Sequence, residues 1–263
     1  MKLSGKTVLI TGGTSGIGWE LARRLHARGN VVAVTGRDAR KLAEAKRALP
    51  ELRVFESDVS DPAAVVALHH RVRAELPSLD VLVNNAGIMR NLDLNQPRAL
   101  EDVTREVDIL LRGPIQMTQQ FLPQLKSQPQ GLIVNVSSGL AFVPFAISPV
   151  YSAAKAGLHA FTQCLRAQLA SSSVSVVELL PPGTETALFR AEFEREVRGQ
   201  SAMPVTVLVE KALAGIEAGK TEIRPGLASV LKLMSRVAPQ LMFNQMLKMT
   251  LAQTGPRALG AKP

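Results

Sequence analysis

Cysteine is nearly absent: Cys164 stands alone among 263 residues, which excludes an intramolecular disulfide and a cysteine-built metal site. Nothing calls for an oxidising compartment, so a cytoplasmic location is expected. Aromatic residues make up only 4% of the chain and supply no stacking platform beside its basic residues, so no nucleic-acid partner is expected. No stretch approaches the roughly 18 to 20 uninterrupted apolar residues of a membrane-spanning helix. The opening Met1 to Gly13 has no apolar core with a small-residue cleavage site, and neither a signal peptide nor a transmembrane segment is expected. Acidic residues are missing from Gly226 onward, where Lys232, Arg236, Lys248, Arg257 and Lys262 carry over half of the net charge of +9. Such a surface attracts nucleic acid, anionic lipid or a phosphorylated small molecule alike, and it reads here as a solvated face.

What is present is ordinary for a globular chain, 46% hydrophobic and 20% charged, at a length one core can organise. Apolar runs rich in Val, Ile and Leu recur at Thr7 to Thr11, Val31 to Thr35, Arg53 to Ser57, Leu79 to Asn84, Leu132 to Ser137 and Val174 to Leu180. Short, nearly continuous runs suit parallel strands buried on both faces. Between them lie helix-length amphipathic segments at Gly16 to Arg28, Arg40 to Leu49, Pro62 to Leu76, Arg98 to Lys126 and Tyr151 to Ala170. The alternation predicts an α/β fold with one doubly wound parallel sheet of about seven strands, the last near Thr221 to Arg224, and helices on both faces. Residues 1–225 form that domain. Residues 226–263 are expected as its C-terminal helical extension, broken near Pro239, with a flexible tail. The extension packs on the sheet domain or on another subunit, or else serves as a wall for an apolar substrate or as a membrane-surface helix.

Thr11-Gly12-Gly13-Thr14-Ser15-Gly16-Ile17-Gly18 joins the first strand to the first helix. Glycines there let backbone approach a ligand, and the helix N-terminus offers free N–H groups to a pyrophosphate. Asn84-Asn85-Ala86-Gly87 follows the fourth strand and Ser138 ends the fifth. Tyr151-Ser152-Ala153-Ala154-Lys155 opens a helix, and Pro182-Gly183-Thr184-Glu185-Thr186 follows the sixth strand. In this order and at these spacings, over about residues 3 to 190, the chain resembles the short-chain dehydrogenase/reductase family, with its Rossmann-type sheet. Arg37 to Leu42, Asp58 to Pro62, Met203-Pro204 and Ile223-Arg224 further resemble the branch grouped with the D-alanine esterification (DltE-like) oxidoreductase.

The resemblance implies an oxidoreductase interconverting a carbonyl and an alcohol by hydride transfer, with Ser138, Tyr151 and Lys155 as catalytic residues. Tyr151 and Lys155 are four apart and share a helix face, so an ammonium beside the phenol is expected to lower its pKa from ~10. Tyr151 would then exchange the proton and Ser138 would hold the same oxygen. The dinucleotide is expected to lie on Gly12, Thr14, Ser15, Gly16, Ile17 and Gly18, with Asp58 and Val59 at the adenine. Asn85, Ala86 and Gly87 would follow its adenosine. Tyr151 and Lys155 would hold the nicotinamide ribose, with Pro182, Gly183, Thr184 and Thr186 also at the coenzyme. Arg37 stands where a basic residue accepts a 2′-phosphate, which favours NADP(H) over NAD(H), although Asp38 beside it could compete. Leu110 occupies the position of a family asparagine that supports a proton-relay water. This departure favours, as the alternative, a weak or inactive dinucleotide-binding regulator.

Gly139 to Val150 and Thr186 to Met203 should border the pocket, and their apolar character favours a hydrophobic carbonyl or alcohol substrate. Family members are commonly homodimers or homotetramers, with the helices beginning near Arg98 and Tyr151 as expected interfaces. His26, His69, His70 and His159 read as surface residues, Cys164 as a buried inert thiol, and no metal is expected.

Overall fold

A computed structural model describes residues 1–191 and 202–254. Seven parallel strands form one sheet in the order β3-β2-β1-β4-β5-β6-β7. They are β1 Thr7–Thr11, β2 Val31–Gly36, β3 Arg53–Glu56, β4 Leu79–Asn84, β5 Gly131–Val136, β6 Val174–Leu179 and β7 Glu222–Ile223. The order reverses beside β1, so the carboxyl ends of β1 and β4 part there and leave a crevice.

Alternation along each strand divides the core between two faces. Leu9, Leu82, Ile133 and Val176 point to one side, where they meet α3 (Pro62–Glu75), α5 (Gly113–Lys126) and α6 (Pro149–Gln168). Val8, Ile10, Val83, Val134 and Leu179 point to the other, against α1 (Gly16–His26), α2 (Ala39–Ala48) and α8 (Val205–Glu217). Burial on both faces is why the strands read as unbroken apolar runs. Asp38 and Asp61 cap α2 and α3, each side chain accepting backbone N–H groups of the first turn.

The single helix expected over Arg98 to Lys126 is interrupted. α4 (Leu100–Val107) runs into a π-helical turn, Asp108–Arg112, before α5 begins. Pro114 has no N–H to donate to the Leu110 carbonyl, while Gly113 N–H reaches back five residues to Asp108 O. The extra residue turns Leu110 inward, where it is buried against Gly87.

After the short α7 (Ala187–Ala191), α8 and β7, the chain ends in α9 (Ala228–Val237) and α10 (Pro239–Thr254), separated before Pro239 as expected. α9 lies on the 3-10 turn Gly139–Ala141, with Leu231 against Gly139 and the Lys232 ammonium 5.5 Å from the Phe142 ring centre. Among the described residues no helix is long and apolar enough to cross a membrane. Residues 192–201 of the expected pocket border and the tail bearing Arg257 and Lys262 lie outside the described residues.

Candidate active site

The crevice is built from backbone first. Thr11 Oγ1 accepts the N–H groups of Asn85 and Ala86, both at 3.0 Å, while Asn85 Nδ2 donates to the carbonyls of Thr11 and Gly12 at 2.9 and 3.1 Å. These bonds tie the Asn84-to-Gly87 turn to the glycine turn. Their closeness leaves no room for side chains. A Cβ on Gly12, whose φ is +65°, would stand 2.7 Å from Ala86 Cα, and one on Gly18 would stand 2.5 Å from Asn85 Nδ2. Ser15 caps α1 without a side-chain bond and the first turn carries no acidic residue, so its N–H groups and positive dipole end are available to an anion. Thr14 and Ile17 flank this turn, and the Thr186 methyl lies against Gly16. The turn therefore fits the pyrophosphate of a dinucleotide.

At the far end of the crevice, Arg37 Nη1 lies 3.5 Å from Asp58 Oδ2. Burial works to raise the Asp58 pKa, but bonds from Ser60 and the Arg37 charge prevail and hold the carboxyl below its ordinary range. Asp38 beside it caps α2, its Oδ1 accepting the N–H groups of Arg40 and Lys41. Val59 is a core residue of the α3–α5 side. On the opposite wall, Thr184 Oγ1 donates to Pro182 O at 2.8 Å, and Gly183 and Glu185 bond through their backbones to Met203.

Ser138, Tyr151 and Lys155 come together where β5 ends and α6 begins, at 8%, 8% and 5% exposure. Ser138 is in extended backbone, its Oγ accepting Leu140 N–H at 3.1 Å. Lys155 Nζ donates to Val136 O at 2.7 Å and lies 5.7 Å from the Tyr151 ring centre. Burial pushes the phenol up to about 12, Ser138 as hydrogen-bond partner acts against that, and the Glu106 carboxylate reinforces it. The lowered phenol pKa expected from the Tyr-x3-Lys spacing is thus reversed here, because burial, with the Glu106 carboxylate, outweighs the Ser138 hydrogen bond. The same burial lowers Lys155 to about 8, with the Glu178 carboxylate opposing the shift.

Two further readings are corrected. Cys164 is exposed, because its position on α6 faces solvent. His159 is largely withdrawn from the surface, its Nδ1 2.8 Å from Oε2 of the fully buried Glu178. Sequence reasoning passed over Glu178, although a lone carboxylate in a strand buried on both faces was a usable signal. Among the described residues no group of His, Cys, Asp and Glu is placed to hold a metal.

The sequence pattern of the short chain dehydrogenase family matches residues 6–197. A Bacillus subtilis protein described as the uncharacterized oxidoreductase DltE is 39% identical over 249 residues, covering 94% of this chain and 98% of its own. The NADP-dependent 3-hydroxy acid dehydrogenase YdfG of Salmonella typhi is 33% identical over 205 residues, or 76% of this chain and 83% of its own. A short chain dehydrogenase from Burkholderia cenocepacia, solved in complex with NADP, superposes with a TM-score of 0.81 at 26% identity, covering 94% of this chain and 99% of that one. One from Burkholderia phymatum, solved with NAD, shares the fold with a TM-score of 0.79 at 20% identity over 92% of this chain and 96% of that one. A chain that carries this pattern along most of its length, and folds as these structures do, belongs to the short chain dehydrogenase family and is one of its oxidoreductases.

Proposed function

We propose that the protein is an NADP(H)-preferring oxidoreductase interconverting a carbonyl and an alcohol, with Tyr151 as general acid and base. The observation that carries this reading is the meeting of Ser138, Tyr151 and Lys155 in one nearly dry corner of the crevice, in line with a glycine turn shaped for a pyrophosphate. Gly12 to Gly18 would hold the phosphates, Arg37 the 2′-phosphate, and Asp58 and Val59 the adenine. Asn85 to Gly87 would border the adenosine, Lys155 the nicotinamide ribose, and Pro182 to Thr186 the opposite side. Once bound, the dinucleotide supplies or accepts the hydride.

The remaining chemistry belongs to the chain. With its pKa near about 12, the Tyr151 phenol is protonated at neutral pH and able to give its proton to a carbonyl oxygen. Ser138 Oγ holds that same oxygen as charge develops on it. The Lys155 ammonium, below its pKa of about 8, favours the phenolate left behind. Raising the pH through about 8 removes that charge, so kcat/KM for carbonyl reduction is expected to fall on the alkaline side. A pH–rate profile flat across that range would contradict the assignment of Lys155.

Arg37 supports the choice of NADP(H): its guanidinium stays exposed beside Asp58, at the end of β2. The Burkholderia cenocepacia structure with NADP and the NADP-dependent Salmonella relative point the same way. Leu140, Phe142 and Phe145, half-buried after Ser138, favour an apolar substrate. The test is NADPH and NADH consumption with a panel of apolar aldehydes and ketones. Arg37→Glu is expected to weaken NADPH binding about tenfold or more, with NADH little affected. A wild type that prefers NADH overturns the cofactor assignment. NADPH binding without turnover across the panel would instead favour a dinucleotide-sensing regulator, the reading that Leu110 raises.

A further inference from the structure

Glu178 and His159 lie directly behind the Tyr151–Lys155 turn of α6, and the chemistry above gives them no task. Glu178 is the only charged residue of β6 and is fully buried. Its register partner on β5 is Asn135, whose side chain donates to Thr162 of α6 at 2.9 Å. Glu178 shares that face of the sheet and meets α6 one turn earlier, at His159. Lys155 lies one further turn back along the same helix face. Its ammonium donates to the carbonyl of Val136, the next residue of β5 after Asn135. Lys155, His159 and Glu178 are therefore neighbours where β5, β6 and α6 meet.

Charge accounting shows what the carboxylate faces. His159 is held between two side chains, with Gln163 Nε2 3.0 Å from its Nε2 and Glu178 Oε2 2.8 Å from its Nδ1. His159 thereby orients one oxygen of the carboxylate. Glu178 Oε1 has no hydrogen-bond donor among the described residues. A buried carboxylate is costly to keep ionised unless a cation balances it. The other charges nearby are already engaged. Glu222 of β7, which faces His159, is paired with Lys232 of α9 and with Arg224. Arg166 of α6 donates to the carbonyls of Val176 and Thr221. Glu106 of α4 acts on Tyr151 and is bonded to the Arg90 N–H. That leaves Lys155, and Glu178 in turn raises the proton affinity of Lys155 against burial.

We propose that Glu178, held by His159, is a positioning residue for Lys155, its buried carboxylate keeping that lysine an ammonium beside Tyr151. The proposal rests on the reading of Tyr151 and Lys155 given above. It assigns to a strand residue 23 positions after Lys155 the task of fixing the pH range over which the lysine works.

The test is the pH dependence of NADPH-dependent carbonyl reduction by the full chain. Glu178→Gln keeps the shape and the bond to His159 but removes the charge. Its alkaline limb is expected to move to lower pH, so that relative to wild type the rate falls about threefold or more at about pH 8.5 and changes little at about pH 6.5. Glu178→Asp retains the charge, set back by one methylene, and is expected to restore most of the limb. A merely structural role would lower the rate equally at all pH values and leave the limb in place. If Glu178→Gln is too unstable to assay, Glu178→Met removes the charge in its place; an unmoved limb in the charge-free variant overturns the proposal. Tyr151→Phe and Lys155→Met run alongside separate the two ways of failing. If either retains wild-type turnover, the reading of the site falls; if both lose it while Glu178→Gln keeps the wild-type limb, only the role of Glu178 falls.

Discussion

Tyr151→Phe is expected to lower carbonyl reduction by roughly 10²- to 10⁴-fold while the chain still folds. The ring belongs to the core cluster formed with Met89, Ile109 and Ile147, and phenylalanine preserves those contacts. Only the hydroxyl is lost, and with it the one phenolic proton in the chain, since Tyr151 is the sole tyrosine. Neither neighbour can replace it well. Lys155 is turned to the Val136 carbonyl, and the Ser138 hydroxyl accepts Leu140 N–H and has too high a pKa to act alone. Loss of NADPH absorbance with the best substrate of the panel, together with a circular dichroism melt, measures both effects. Turnover within about threefold of wild type would remove Tyr151 from the mechanism.

Gly12→Ala is expected to cost about 2–4 kcal/mol of stability and to abolish dinucleotide binding in whatever folds. Two penalties coincide at this position. The φ of +65° is unfavourable for any residue with a Cβ, and the new methyl would meet the Ala86 Cα at 2.7 Å, backbone that is itself held by Thr11 Oγ1. Gly29 separates the two effects, because its φ of +75° is similar but nothing lies within 4 Å of an added Cβ. Gly29→Ala should therefore show only the conformational part, about 1–2 kcal/mol. Equal destabilisation of the two variants in urea would mean that contact between the two turns contributes nothing.

The strands were legible in the sequence because the inner ones are buried on both faces and mostly apolar, and the glycine turn because its residues act through backbone. The closeness of Tyr151 and Lys155 was legible for a similar reason, since the two need only a helix to share a face. What stayed hidden depends on contacts distant in sequence. The spacing implied the direction of the Tyr151 shift from a neighbouring charge, whereas burial, set by the whole core, decided it the other way. His159 reads as one more helix histidine until Glu178, 19 residues on, is folded against it. The π-helical turn adds one residue to an otherwise regular pattern, and only Pro114 marks the place. Asp38 could be read as a rival for the Arg37 site, while the structure uses it to start a helix.

The packing of α9 on the turn after Ser138 places the molecule under two kinds of constraint. The glycine turn is confined by backbone-to-backbone closeness near the start of the chain, where a Cβ on Gly12 or Gly18 is penalised. Leu231 and Lys232 reach the rim of the reactive corner from a helix whose outer face, at Val230, Leu233 and Val237, carries few constraints. Substitutions in the final helices are therefore expected to change which substrate this oxidoreductase accepts while leaving the glycine turn intact.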